Sequence, residues 1–233
     1  MTGIPYSTAL IVGAGPGISG SVGRALAKAG LKVALASRQP DKLERFAEGI
    51  GAKVFAVDAA FPNSVARLFE EVDADLGTPD LVLYNASARV RGRIVDLDPE
   101  EVRKSVTISA FGGFLVVQQA AKRMLPNKRG AILLTGATAS VKGFSLSSSF
   151  AIGKFGLRGL AQSAARELAP EGIHVAHFVI DGAVRSATRP DPAGRPDSTL
   201  DPDDIAQSYL SILRQPRSAW TSEIELRPWT ENF

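Results

Sequence analysis

Near the start of the chain, the segment Gly13-Ala14-Gly15-Pro16-Gly17-Ile18-Ser19-Gly20 follows the apolar run Ala9–Val12 and leads directly into an amphipathic stretch. A strand that turns at once into a helix restricts the fold to a few architectures. Glycines at that turn restrict what the turn can do. They allow a sharp reversal and let a ligand approach the backbone. They also leave free N–H groups at a helix N-terminus, which together suit a pyrophosphate. A helix start that simply needed flexible residues is the alternative, and the strand before it argues against that.

The rest of the chain repeats the strand-then-helix pattern. Short apolar runs predict strands over Ala9–Val12, Lys32–Ala36, Lys53–Val57, Leu81–Tyr84, Ala131–Thr135, Ile173–Ile180 and Glu223–Leu226. Amphipathic intervals predict helices over Pro16–Ala29, Pro40–Glu48, Asn63–Leu76, Thr107–Met124, Ser148–Leu168 and Pro202–Leu213, and Asp98-Pro99-Glu100 also has the form of a helix start. Continuous apolar strands alternating with helices indicate a parallel sheet covered on both faces, an α/β doubly wound Rossmann fold. No linker divides the 233 residues, so one dinucleotide-binding domain over residues 1–233 is expected. The segment from Asp181 to Leu200, rich in Pro, Gly, Asp and Arg, is expected to be a mobile loop beside the ligand.

Composition removes several classes of chemistry. The chain has no cysteine, which excludes disulfides, thiolate catalysis and cysteine-based zinc sites. His174 and His177, three apart on one predicted strand, point to opposite faces and make a poor metal pair. No metal site is expected. A net charge of +3 without basic runs gives no sign of nucleic-acid binding. No window approaches the roughly 20 apolar residues of a membrane span, so a cytoplasmic protein is expected.

The second strand bears on the cofactor. Where an NAD site would set a carboxylate against the ribose 2′-hydroxyl, the chain has Ala36-Ser37-Arg38. A guanidinium and a hydroxyl suit a 2′-phosphate, so NADP(H) is expected over NAD(H). Arg38 capping a surface turn is the other possibility. Asp58 is placed either to meet the adenine edge or to cap the turn at Ala59-Ala60.

The glycine turn, Asn85-Ala86 after the fourth strand, Phe150-x-x-x-Lys154 opening a long helix and Gly172-Ile173 leading into the sixth strand together resemble the short-chain dehydrogenase/reductase family. The resemblance implies a seven-stranded parallel sheet in the order 3-2-1-4-5-6-7. It also implies a small-molecule substrate, and a homodimer or homotetramer packed through the helices near Thr107–Met124 and Ser148–Leu168. It places Gly13, Gly15, Gly17, Ile18, Ser37, Arg38, Asp58, Asn85, Ala86, Lys154, Gly182 and Val184 against the cofactor.

The family's catalytic positions do not all match. Its tyrosine corresponds to Phe150, its serine to Ala137 with Thr138 beside it, and its asparagine to Ser109, while Lys154 is retained. A phenyl ring cannot donate a proton. Ser19 also replaces a family glycine, and Asp181-Gly182 replaces a Pro-Gly. Lys154, Phe150, Thr138 and Ser109 are therefore the candidate catalytic positions of an oxidoreductase with a non-standard site. Water or the substrate are further proton sources, and Tyr84 is read first as a sheet-packing residue and second as a replacement acid. A cofactor-binding protein with little turnover, either a sensor or a non-catalytic subunit, is a second reading, and a non-redox enzyme on the same fold a third. Ser145 and Ser147 to Ser149 read mainly as loop and helix-cap residues. Arg89, Arg91 and Arg93, with Arg185, Arg189 and Arg195 on the later loop, suggest an anionic substrate or else a solvated basic rim.

Overall fold

The computed structural model describes residues 3–231. Its seven strands form one parallel sheet in the order β3-β2-β1-β4-β5-β6-β7. They are β1 (Thr8–Val12), β2 (Lys32–Ser37), β3 (Lys53–Ala56), β4 (Leu81–Tyr84), β5 (Gly130–Thr135), β6 (Ile173–Ile180) and β7 (Glu223–Leu226). Each matches a predicted run to within a residue at either end. In-register pairing aligns Ala34, Leu10, Val82, Ile132 and Val175 in one row across five strands, all buried. This row explains why the central strands read as unbroken apolar runs: both faces of the sheet are covered.

Helices α1 (Ile18–Lys28), α2 (Glu44–Ile50) and α7 (Pro202–Leu213) pack on one face. Helices α3 (Pro62–Leu76), α5 (Gly112–Met124) and α6 (Ser148–Leu168) pack on the other. Helix α3 starts with Pro at its first turn and buries Val65, Leu68, Phe69 and Val72, the spacing of a single helical face. Burying each such side chain contributes roughly 1.5–3 kcal/mol before the entropy cost.

Three predicted helices differ in form. The first begins at Ile18 rather than Pro16, because residues 14 to 17 are taken up by the turn. The second splits into a 3-10 turn, Pro40–Leu43, and α2. The helix expected from Thr107 is preceded by α4 (Pro99–Val106), capped by the Asp98 side chain accepting from the Glu100 N–H. A π turn over Thr107–Phe111 joins α4 to α5. That extra residue per turn rotates Ser109 inward.

The order of the sheet sets the position of the site. After β3 the chain crosses to the other side of β1 to form β4, so the connections leaving β1 and β4 diverge. The crevice between them, at the carboxyl ends of the strands, is where ligands bind in such sheets.

Candidate functional site

The glycine turn occupies that crevice. Gly13 has φ +85°, and a Cβ there would lie 2.3 Å from the Ala86 nitrogen, so only glycine lets the turn pass this close to the β4 exit. Asn85 ties the two exits together, its Nδ2 donating to the Gly13 carbonyl at 3.1 Å. Ser19, where the family has glycine, uses its hydroxyl inside the turn. Its Oγ accepts from the Gly15 N–H at 3.0 Å and lies 3.3 Å from the carbonyl oxygens of Gly13 and Gly15. This departure stitches the turn together and takes up the Gly15 N–H, while the Gly13 and Ala14 N–H groups donate to the Ala36 carbonyl.

A cleft of ≈960 Å³ runs along the crevice, lined by Gly13, Gly15, Ser37, Arg38, Asp58, Asn85 and Ala86. Gly17 is the N-cap of α1 and Ile18 its first residue, both outside that lining. Asp58 borders the cleft and caps the turn that follows it, its Oδ1 accepting from the Ala60 N–H at 3.0 Å. Arg24 and Lys42 also reach the Arg38 end and were not singled out from sequence. Arg24 is paired with Asp203 at 2.9 Å. Lys42 is carried back to the cleft by the 3-10 turn, which leaves no periodic signal in the sequence. The residues present fit a dinucleotide: a close-approach glycine turn, backbone donors at the uncapped start of α1, and a hydroxyl and cations at one end.

Beyond the other end lie the family's catalytic positions. Phe150 is half-buried in the first turn of α6, and Lys154 follows one turn later, its Nζ 5.8 Å from the phenyl centroid. Lys154 is fully enclosed and donates to the Thr135 carbonyl at 2.7 Å, and burial pulls its pKa down to about 8. Thr138 sits half-buried in a 3-10 turn after β5, with Ala137 before it. Ser109 is fully buried and accepts from the Ala88 N–H at 3.1 Å. Gly182 and Val184 stand at the β6 exit, apart from the cleft lining.

Several sequence expectations need correction. Tyr84 has the packing role rather than that of a replacement acid: it is fully buried, its hydroxyl donates to the Ile108 carbonyl, and burial pushes its phenol well above the usual value. Ser147 occupies the α6 N-cap position but makes no capping bond, and both Ser147 and Ser149 turn instead to the loop after β4. The loop from Asp181 to Leu200 is tied down by Arg185, which bridges Asp191 and Asp201, and Val184 pairs with Leu200. Arg93 is likewise paired, with Asp96 at 3.9 Å. The histidines do face apart: His174 stacks on Trp220, while His177 bonds Glu223. Among the described residues, no cluster of His, Asp or Glu has the form of a metal site, and no helix is long and apolar enough to cross a membrane.

With this geometry, the comparisons with known proteins are consistent. Residues 7–191 match the short chain dehydrogenase family profile. A protein described as an uncharacterized oxidoreductase of Staphylococcus aureus is 28% identical over 98% of this chain and 100% of its own length. The crystal structure of a short-chain dehydrogenase from Rhodopseudomonas palustris superposes with a TM-score of 0.82 at 32% identity, covering 96% of this chain and 99% of that one. A metagenomic short-chain oxidoreductase solved in complex with NADP gives a TM-score of 0.84 at 25% identity, covering 97% of this chain and 98% of that one.

Proposed function

The chain belongs to the short-chain dehydrogenase family, and from that premise we propose that it is an NADP(H)-dependent oxidoreductase whose site works without the family's tyrosine hydroxyl. The observation that carries this reading is the pairing of a cleft lined by the glycine turn, Ser37, Arg38 and Asn85 with Phe150 set above a buried Lys154. Ser37 and Arg38 border one end of the cleft with no carboxylate beside them on that strand exit, an arrangement suited to a 2′-phosphate. The NADP complex among the similar structures supports the same choice.

When bound, the cofactor supplies or accepts a hydride. The chain's own residues do the rest. The Gly13 and Gly15 turn would let the pyrophosphate approach, the N–H groups of Gly17 and Ile18 at the start of α1 would hold it, Arg38 and Ser37 would meet the 2′-phosphate, and Lys154 would donate to the nicotinamide ribose. Gly182 and Val184, at the β6 exit, would meet the nicotinamide end. Phe150 excludes water from the position beside Lys154. Thr138, half-buried after β5, is the nearest hydroxyl on the family's serine side, while Ser109 is committed to the loop backbone. The exposed side chains of Phe111, Phe114, Ile152 and Phe155 on α5, its preceding π turn and α6 supply an apolar face for a homodimer or homotetramer.

The test compares NADPH oxidation by the wild type and Phe150→Tyr over a panel of activated carbonyls. A positioned general acid is worth roughly 10²–10⁴-fold. The variant should gain turnover on simple ketones that the wild type reduces poorly, and Ala137→Ser should add to the gain. Efficient reduction of ordinary ketones by the wild type, unaffected by Thr138→Ala, contradicts the reading.

A further inference from the structure

Four buried serines hold the loop that carries an exposed arginine, Arg89, near the catalytic end of the cleft. The cleft lining reaches Ser87 and Ile108, and Arg89 follows two residues after Ser87. Just before Arg89, the Ser105 hydroxyl donates to the Ala88 carbonyl at 2.9 Å, and the Ser109 Oγ accepts from the Ala88 N–H. Just after it, the Ser149 Oγ accepts from the Val90 N–H at 3.0 Å and donates to the Val90 carbonyl at 2.8 Å. The guanidinium itself donates through Nη2 to the Ser147 Oγ at 2.6 Å, and its Cζ stands 5.3 Å from the Phe150 centroid. All four serines are at most 2% exposed.

This is costly machinery for a rim charge. An ordinary surface arginine gains little from being ordered, since an exposed ion pair is worth roughly 0–1 kcal/mol and fixing the side chain costs rotamer entropy. Here the backbone on both sides and the guanidinium head are held by buried hydroxyls. No carboxylate pairs with Arg89 among the described residues, whereas Arg93 and Arg185 are both paired. One of its five N–H donors is used on Ser147, and the others are free for a ligand. A planar guanidinium 5.3 Å from the Phe150 ring, at the family's catalytic tyrosine position, suits a planar carboxylate.

We infer that Arg89, set by Ser105, Ser109, Ser147 and Ser149, is a carboxylate-binding subsite, and that the substrate is a carbonyl compound carrying a carboxylate next to the reacting carbon, a 2-oxo acid or its 2-hydroxy counterpart. The inference rests on the oxidoreductase reading and names its substrate class. It also accounts for one departure from the family, since Ser109, at the asparagine position, serves this loop.

Calorimetric titration of the protein with oxamate and 2-oxoglutarate, each with and without saturating NADP+, tests it. Neutral oxamide is the control ligand, and NADPH binding is followed separately by fluorescence. At least one of the two carboxylates should bind saturably and oxamide should not. Arg89→Gln should lower the carboxylate affinity tenfold or more while leaving NADPH affinity unchanged. Ser147→Ala, which keeps the charge but frees the guanidinium, should lower it severalfold, and Arg91→Gln should leave it as it is. No saturable binding of either carboxylate overturns the inference, as does binding that Arg89→Gln leaves intact. Loss of NADPH binding in the wild type would instead count against the cofactor reading, because the titration without NADP+ reads Arg89 independently.

Discussion

The ammonium group of Lys154 donates to the carbonyl oxygen of Thr135 across 2.7 Å while only 3% of the lysine is exposed. Burial of the charge is the cause of the drop in its pKa to about 8. The value in the unfolded chain is the ordinary 10.5. Between those limits the native protein binds fewer protons than the unfolded chain, so stability rises with pH through that window. Below about pH 8 the full cost of burying the charge is present.

Replacing the lysine removes this dependence. The stability of Lys154→Met relative to wild type should therefore be most favourable near pH 7. It should decline by about 3 kcal/mol as the pH approaches 10.5, since each pKa unit corresponds to about 1.4 kcal/mol. NADPH affinity should fall in the same variant. Denaturant unfolding over a pH series reads the first effect, and a stability difference that stays flat with pH would show that the lysine is solvated.

Tyr84 is expected to be silent in catalysis. Its hydroxyl is spent on the Ile108 carbonyl inside the core, where burial holds the phenol protonated. Tyr84→Phe should cost about 1 kcal/mol of stability, the worth of one hydrogen bond. Its pH–rate profile should overlay that of the wild type. A changed profile would return Tyr84 to the list of proton donors.

Gly136 and His177 limit each other. A Cβ on Gly136 would lie 2.3 Å from His177 Nε2 and 2.7 Å from Ser140 Oγ, so Gly136→Ala should destabilise by roughly 1–3 kcal/mol. His177→Ala in the same chain should recover part of that loss, measured as a coupling energy in a double-mutant cycle.

The same histidine gives an acid limb. Burial lowers the His177 pKa to about 4, against an upward pull from Glu223 and further lowering by Lys154 and Arg158. The unfolded chain takes up a proton near pH 6.5 that the native state refuses, so stability falls as the pH drops from about 6.5 toward 4. His177→Gln should flatten that limb in acid unfolding curves. An unchanged limb would assign it to other groups.

Much of the fold was legible in the sequence, because a parallel sheet covered on both faces leaves uninterrupted apolar strands such as Ile173–Ile180. The glycine cradle was legible too, since its chemistry is carried by backbone at consecutive positions. The arginine site was only half visible. Arg89 stood out as a charge, but its supports come from three elements and meet only in space: Ser105 on α4, Ser109 in the π turn, and Ser147 with Ser149 at the start of α6. A serine before a helix reads locally as a cap, and only tertiary contact shows that Ser147 holds a guanidinium instead. The π turn itself was hidden because one inserted residue shifts the apolar period without breaking it.

The most direct test of the NADP(H) reading is calorimetry of the wild type and Arg38→Ala with NADP+ and with NAD+. A charge-assisted contact to the 2′-phosphate contributes about 1.5–3 kcal/mol, or roughly ten- to a hundred-fold in affinity. The wild type should bind NADP+ more tightly than NAD+ by that factor. Arg38→Ala should close the gap by weakening NADP+ alone. Equal affinities in the wild type, unchanged by the substitution, would contradict the account.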